Sequence, residues 1–310
     1  MGTPDFSVPT LNKVASSGKH KILTVFTKPD KINHRGNKIE YSPVKRYALK
    51  LGISLCQPTS LSNPDVCDSI SKLHPDLVLV VAYGKILPKS VLALPRKGCI
   101  NLHGSLLPKY RGAAPIQRAL INGEAVTGVT TMFMNEGMDT GDILLKRELR
   151  INEDDGSSSI FEKLSIIGAD LVLETLDLIG SNKIERIHQN NGEATYAPPL
   201  SKDEARIDWK LLDANRIHNL IRGLDAGPIA YTTLNKKRIK LFRSKVFFGN
   251  IKTCSAEPGK VVSAKPFVVC CKDNTFLEIL EVQPENKKRM DSADFVRGYD
   301  TLDKILGEQE

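Results

Sequence analysis

The sequence predicts an α/β chain: a domain built on a mostly parallel sheet, followed by a smaller domain of β-strands. Three observations carry this. Leu77-Val78-Leu79-Val80-Val81-Ala82 is a continuous apolar run, the pattern of a parallel strand covered on both faces. Segments with helical spacing alternate with short β-branched runs as far as Ile179, which gives a Rossmann-like, doubly wound order. Beyond Ala230 short strands recur at close intervals with turns between them, as in a small β-barrel. A chain of 310 residues suits two domains, and 41% hydrophobic with 26% charged residues is the balance of a globular protein.

From the start of the chain, Phe6 to Ser17 has helical spacing through Val8, Leu11 and Val14, with Pro9 suited to the first turn. Lys21 to Phe26 reads as a strand. Thr27 to Tyr41, with Pro29, Asn33, Gly36 and Asn37, reads as a long loop, a length that often marks function. Helices over 43–51 and 65–73 lead to the apolar strand at 77–82. Tyr83-Gly84-Lys85-Ile86-Leu87-Pro88 then lies at the sheet edge where α/β folds bind ligands.

The next strand, Lys97 to Gly104, ends at the same kind of edge. Alternation puts Cys99, Asn101 and His103 on one face, and Ile100 and Leu102 on the other. A helix over 114–121, a strand over 129–134, a Gly137–Gly141 loop and a long amphipathic helix over 159–179 complete a first domain at 1–184. The polar stretch 185–203, with Asn190-Asn191-Gly192 and Pro198-Pro199, reads as a linker. The second domain, 204–310, opens on a helical or mixed segment holding Trp209 as a packing anchor. Its strands are expected at 230–234, 239–242, 260–263, 266–271 and 276–283.

No run is long and apolar enough to span a membrane, and no charged start precedes an apolar stretch, so a cytoplasmic protein is expected. Six cysteines form no Cys-x-x-Cys pair and no set with His at metal-ligand spacing; they read as small buried residues in a reducing compartment, with no metal site. The net charge of +8 points to a polyanionic partner, and its distribution sharpens this. Nine Lys or Arg fall between Lys19 and Lys50 against Asp30 and Glu40, and ten between Lys236 and Lys272 against Glu257 alone.

Asn101 offers an amide donor and His103 a titratable imidazole, which together suit an oxyanion developing at neutral pH. Asp139, between Gly137 and Gly141, can approach a substrate and orient the imidazole or a water. Taken singly, the Asn-x-His pair reads as a structural feature and Asp139 as a turn residue. The stretch as a whole changes that reading. Asn101-x-His103-Gly104-Ser105-Leu106-Leu107-Pro108-x-Tyr110-Arg111-Gly112, with Met138-Asp139-Thr140-Gly141-Asp142 after it, resembles the signature of the folate-dependent formyltransferases. Gly2-Thr3-Pro4-Asp5-Phe6, Ser42-Pro43-Val44-Lys45, Val81-Ala82-Tyr83-Gly84, Gly112-Ala113-Ala114-Pro115-Ile116-Gln117 and Ala205-Arg206-Ile207-Asp208-Trp209 extend the resemblance over nearly the whole chain, toward the branch acting on an aminoacylated tRNA.

The resemblance implies a Rossmann-like formyltransferase domain and an OB-like C-terminal barrel that binds tRNA. It implies 10-formyltetrahydrofolate as donor and initiator methionyl-tRNA as partner, in a monomer. Asn101, His103 and Asp139 would be catalytic. Ser105, Leu106, Leu107 and Pro108, with Tyr83, Gly84 and Ile86, would bind the folate. Arg35, Gly36 and Lys38 fall on the core of a loop that contacts tRNA, and Lys236, Lys237 and Arg238 would add contacts from the barrel. One departure stands at the start: the family carries an apolar strand before Gly-Thr-Pro-Asp-Phe, and here Met1 directly precedes Gly2. The first strand is expected to be missing from the sheet, exposing the edges of its two neighbours. A formyltransferase acting on a small amine, such as an amino sugar nucleotide, would share Asn101, His103 and Asp139, but not the basic segments. A non-catalytic RNA-binding protein would lack one of the three, and a dinucleotide-binding dehydrogenase would carry Gly-x-Gly-x-x-Gly after an early strand.

Overall fold

The computed structural model describes residues 1–33, 38–249 and 256–308. It divides into two units, one formed by Met1–Pro115, Val126–Arg150 and Phe161–Ala197, the other by Ile116–Ala125, Ile151–Ile160 and Pro198–Glu310.

In the first unit, helix α1 (Val8–Ser16) has Pro9 in its opening turn. Strand β1 (Val25–Phe26) is followed by a hairpin, β2 (Lys31–Asn33) with β3 (Lys38–Glu40), inside the segment expected as loop. Helix α2 (Pro43–Lys50) starts where the Ser42 hydroxyl accepts the Lys45 N–H at 3.0 Å, with proline at the first position that needs no donor. Strand β4 (Leu55–Cys56) runs parallel to β1, and α3 (Pro64–Lys72) is capped by the Asn63 carboxamide. Then come β5 (Val78–Val81), α4 (Lys89–Leu92), β6 (Cys99–His103), β7 (Arg111–Gly112), α5 (Pro115–Ile121), β8 (Val126–Phe133), β9 (Ile143–Arg150), α6 (Ser157–Gly180) and β10 (Tyr196–Ala197), of which α5 from Ile116 and the first turn of α6 belong to the second unit.

The main sheet has the order β5-β6-β8-β9. β5 and β6 are parallel; β8 and β9 continue it antiparallel. β9 escaped the sequence reading because it is an edge strand whose exposed Lys146, Arg147, Glu148 and Arg150 mask alternation. β1 and β4 form a separate two-stranded sheet. Met1 and Gly2 lie between β1 and β5: the Gly2 N–H donates to the Phe26 carbonyl at 2.9 Å, and the Val81 N–H to the Met1 carbonyl at 2.9 Å. A groove of about 470 Å³, lined by Val14, Phe26, Val78, Val81 and Leu176 among others, runs beside them.

The second unit adds α7 (Ala214–Gly223), β11 (Tyr231–Leu234), β12 (Lys237–Val246), β13 (Val261–Ser263), β14 (Val268–Cys270), β15 (Phe276–Pro284), β16 (Met290–Asp291) and α8 (Ser292–Gly298). Asp213 caps α7, its carboxylate accepting the Arg216 N–H at 2.9 Å. The strands form one antiparallel six-stranded sheet, β11-β12-β15-β14-β13 with β16 on β15; no continuous strand ladder joins its ends β11 and β13 among the described residues, but residues 304–307 bridge them, the Val261 N–H donating to the Lys304 carbonyl at 2.8 Å and the Gly307 N–H to the Thr233 carbonyl at 2.9 Å. Trp209 packs in the core with Ile217, Leu241, Val269, Leu277 and Phe295, and its indole N–H donates to Thr232 Oγ1 at 2.9 Å. Asn235 and Lys236, both at positive φ (51° and 63°), make the two-residue turn from β11 to β12 that a right-twisted hairpin favours.

Candidate active site

Because β5 and β6 are parallel, with Val81 opposite Leu102, the loops that follow them share one edge of the sheet. Along β6, Ile100 and Leu102 face α6, where Gly168 leaves room for Leu102. Asn101 and His103 therefore share the opposite face. Asn101 is half-buried, and its carboxamide makes no hydrogen bond among the described residues. Such a group is available to a ligand.

His103 is buried, and its Nε2 lies 2.9 Å from the Tyr110 carbonyl. A carbonyl can only accept, so Nε2 carries a proton. Nδ1 is then the nitrogen that exchanges, and it faces the Asp139 carboxylate at 3.6 Å. That separation is too long for a hydrogen bond and short enough for a strong charge interaction. The loop after β8 brings Asp139 there. Its carboxylate accepts the Gly112 N–H at 2.9 Å, and its backbone is left-handed at φ 53°. Gly112 must be glycine: φ is 123°, and a Cβ would fall 2.7 Å from the Ala197 carbonyl oxygen.

The structure sorts the expected folate residues by direction. Ser105 and Leu107 are buried, the Ser105 hydroxyl bonding the Lys109 carbonyl at 2.6 Å and Leu107 packing with Met132 and Ile143. Their side chains hold the loop. Thr130 fixes the same loop, its hydroxyl accepting from the Leu107 N–H and donating to the Ser105 carbonyl. Leu106 and Pro108 are half-exposed. Tyr83 is likewise buried, in the cluster with Phe26, Val80 and Cys99; burial pushes its phenol up to about 12, and its Oη has no partner among the described residues. Gly84 is exposed at φ 73°, and Ile86 is 91% exposed.

A layer behind the site was not legible in the sequence. Arg111, 2% exposed, donates from Nε and Nη2 to Gln189 Oε1 at 3.0 and 2.7 Å, and from Nη2 to Asn191 Oδ1 at 3.0 Å. Gln189 Nε2 donates to the carbonyls of Asp139 and Gly141 at 2.9 and 2.7 Å. Thr195 accepts the Tyr110 N–H on its hydroxyl and the Arg111 N–H on its carbonyl, both at 2.8 Å. The stretch 185–203 is therefore no free linker: as far as Ala197 it belongs to the first unit and buttresses the site. Polarity misled because Gln189, Asn191 and Thr195 are polar for the sake of these bonds.

Of the basic residues, Arg35 and Gly36 lie outside the described residues, and Lys38 stands in β3 opposite Asn33. Lys236, Lys237 and Arg238 are exposed on the β11–β12 hairpin, with the Arg238 guanidinium 4.1 Å over the Tyr231 ring.

Residues 1–176 match the family described as Formyl transferase, and 199–300 match Formyl transferase, C-terminal domain. The chain is 46% identical over 297 residues to a methionyl-tRNA formyltransferase of Thermodesulfovibrio yellowstonii, covering 96% of this chain and 94% of that protein. It is 44% identical over 311 residues to one of Alkaliphilus oremlandii, covering 99% and 98%. Among solved structures, an N-formyltransferase from Helicobacter canadensis in complex with folinic acid and dTDP-3-aminofucose shares the fold, with a TM-score of 0.65 at 20% identity over 91% of this chain and 97% of that one. Matched in both halves and along nearly the full length of its relatives, the chain belongs to the formyl transferase family.

Proposed function

We propose that this chain transfers a formyl group from 10-formyltetrahydrofolate to the α-amino group of methionine on initiator methionyl-tRNA, acting as a cytoplasmic monomer. The observation that supports the reading is Asn101 and His103 on one face of β6, with the Asp139 carboxylate brought by the loop after β8 to 3.6 Å from His103 Nδ1, in a chain whose full-length relatives bear that enzyme's name.

The donor supplies the formyl group as an activated amide. When the methionine amine adds to the formyl carbon, negative charge grows on the formyl oxygen. Asn101 donates its free amide N–H to that oxygen, and His103 gives it a proton or hydrogen bond from Nδ1. Asp139 stabilises the charged imidazole and assists proton movement from the attacking amine to the leaving folate nitrogen, with a water as carrier. Neither a metal nor a covalent enzyme intermediate enters this scheme. The fit to a folate rests on the half-exposed Leu106 and Pro108, the exposed backbone at Gly84 and the exposed Ile86, which offer an apolar flank with backbone polar groups beside the unpartnered Asn101 amide.

Catalysis is assigned to 1–184 with its buttress from 185–197, and tRNA binding to 204–310. Lys236, Lys237 and Arg238 contact the tRNA backbone, and Arg35, Gly36 and Lys38 the acceptor end. The test is transfer of labelled formyl from 10-formyltetrahydrofolate to charged initiator tRNA, beside charged elongator methionine tRNA. Product on the initiator is expected; a folded chain that formylates an amino sugar nucleotide and neither tRNA would refute the reading.

A further inference from the structure

We propose that Gln189 is a positioning residue for this reaction: its carboxamide holds the Asp139 loop in the conformation that sets the carboxylate beside His103, and Arg111 holds the carboxamide. The proposal rests on the role assigned to Asp139 above. Gln189 is 2% exposed and uses every hydrogen-bonding site it has: two donors to the Asp139 and Gly141 carbonyls, two acceptor positions to Arg111.

A carboxamide is the group this position requires. It must give two hydrogen bonds on one side and take two from a guanidinium on the other. Glutamate could only take, and an ammonium could only give.

The loop needs such a clamp. Asp139 occupies the left-handed region, which persists in a residue with a side chain only when its surroundings over-determine it. Gly141 passes so close to the Phe133 carbonyl oxygen that a Cβ would fall 1.8 Å from it, so the backbone there has one path. β7 supplies both references for Asp139. The Gly112 N–H fixes the carboxylate, and its neighbour Arg111 fixes, through Gln189, the Asp139 carbonyl. Main chain and side chain of Asp139 are thus registered to the same two residues, and those are paired to Tyr196 and Ala197.

The test uses the full chain with Gln189→Glu, which keeps size and the Arg111 contact but removes both donors, and Gln189→Met, which removes all four bonds. Both are expected to lower kcat by roughly tenfold to hundredfold, the cost of misplacing a catalytic group, while KM for each substrate stays within about twofold. In an Asp139→Asn background the same changes are expected to cost less than about threefold, because the group they position is already lost. A merely structural role would give additive losses, which overturn the proposal, as does a raised KM with unchanged kcat. Hydrogen exchange over 135–142 reads the clamp without catalysis: faster exchange there, with β12 and β15 unchanged, is expected in Gln189→Glu. Unchanged exchange overturns the proposal, and so does global unfolding of both variants, since the clamp is local. A wild-type chain that transfers no formyl group overturns the functional reading, and the exchange result then decides this one.

Discussion

Asp139→Asn separates charge from shape. One carboxylate oxygen, Oδ2, both accepts the Gly112 N–H and lies nearest His103 Nδ1, so an asparagine oxygen in its place keeps the loop anchored while the negative charge beside the imidazole is lost. The imidazolium that would donate to the formyl oxygen then has no counter-charge. At 3.6 Å the lost attraction between carboxylate and imidazolium is about 4–5 kcal/mol with an effective dielectric near 20. With the Asp139 side chain 17% exposed, solvent reduces the realised share to about 3–4 kcal/mol. That converts to a kcat loss of about a hundredfold to a thousandfold. Stability should hardly move, with a Tm change of no more than about 3 °C. The assay is single-turnover formyl transfer with enzyme in excess, which isolates the chemical step. A loss below about fivefold, or a KM effect with kcat intact, would refute the assignment of the carboxylate to transition-state stabilisation.

Three further outcomes are expected. Replacing Lys236, Lys237 and Arg238 together by alanine should weaken tRNA binding and reduce the slope of log K against log salt by about 2–3, with KM for the folate unchanged; an unaltered slope in filter binding would remove the hairpin from the tRNA surface. The Arg118 guanidinium, 2.7 Å from Glu204, holds that carboxyl down at about 2. A depressed carboxyl adds stability that is present above pH 4.5 and lost as pH falls toward 2, so Glu204→Gln should cost about 0.5–1 kcal/mol at pH 7, screened because Glu204 is 41% exposed, and nothing near pH 2. Urea unfolding across that range checks it, a pH-independent difference being the contrary result. Tyr83→Phe removes a buried hydroxyl that has no partner among the described residues and should raise stability by about 1 kcal/mol; a loss of that size in urea melts would instead reveal a buried partner such as water.

The central strand was legible because two signals coincide in it: alternation assigns Asn101 and His103 to one face, and a glycine ends it at a ligand-binding edge. The identity of Asp139 as their companion came from resemblance, since nothing in its spacing from His103 encodes a 3.6 Å approach. Leu107 and Ser105 show where local reading stops. An apolar turn looks equally able to receive a ligand or to plug the core, and Met132 and Ile143, distant in sequence, decide for the core. Gln189 was illegible for the same reason at longer range. Its partners Arg111 and Asp139 lie 78 and 50 residues away, and a polar residue between glycine- and proline-containing turns reads as loop. The second unit shows a different limit. Strand positions follow from patterning, whereas closure into a barrel depends on shear and register that patterning leaves open.

The division of the chain has a consequence for inheritance. The second unit takes Ile116–Ala125 and Ile151–Ile160 out of the middle of the first unit's sequence. Arg118 meets Glu204, and the Asp225 carboxylate receives the Ser158 N–H at 2.9 Å, so these borrowed segments are knitted to residues downstream of Pro198. A crossover between two relatives at residue 198 would join the C-terminal half of one parent to embedded segments from the other. The halves are therefore not interchangeable cassettes; drift in 198–310 must be matched by drift in two stretches that any linear map assigns to the other domain.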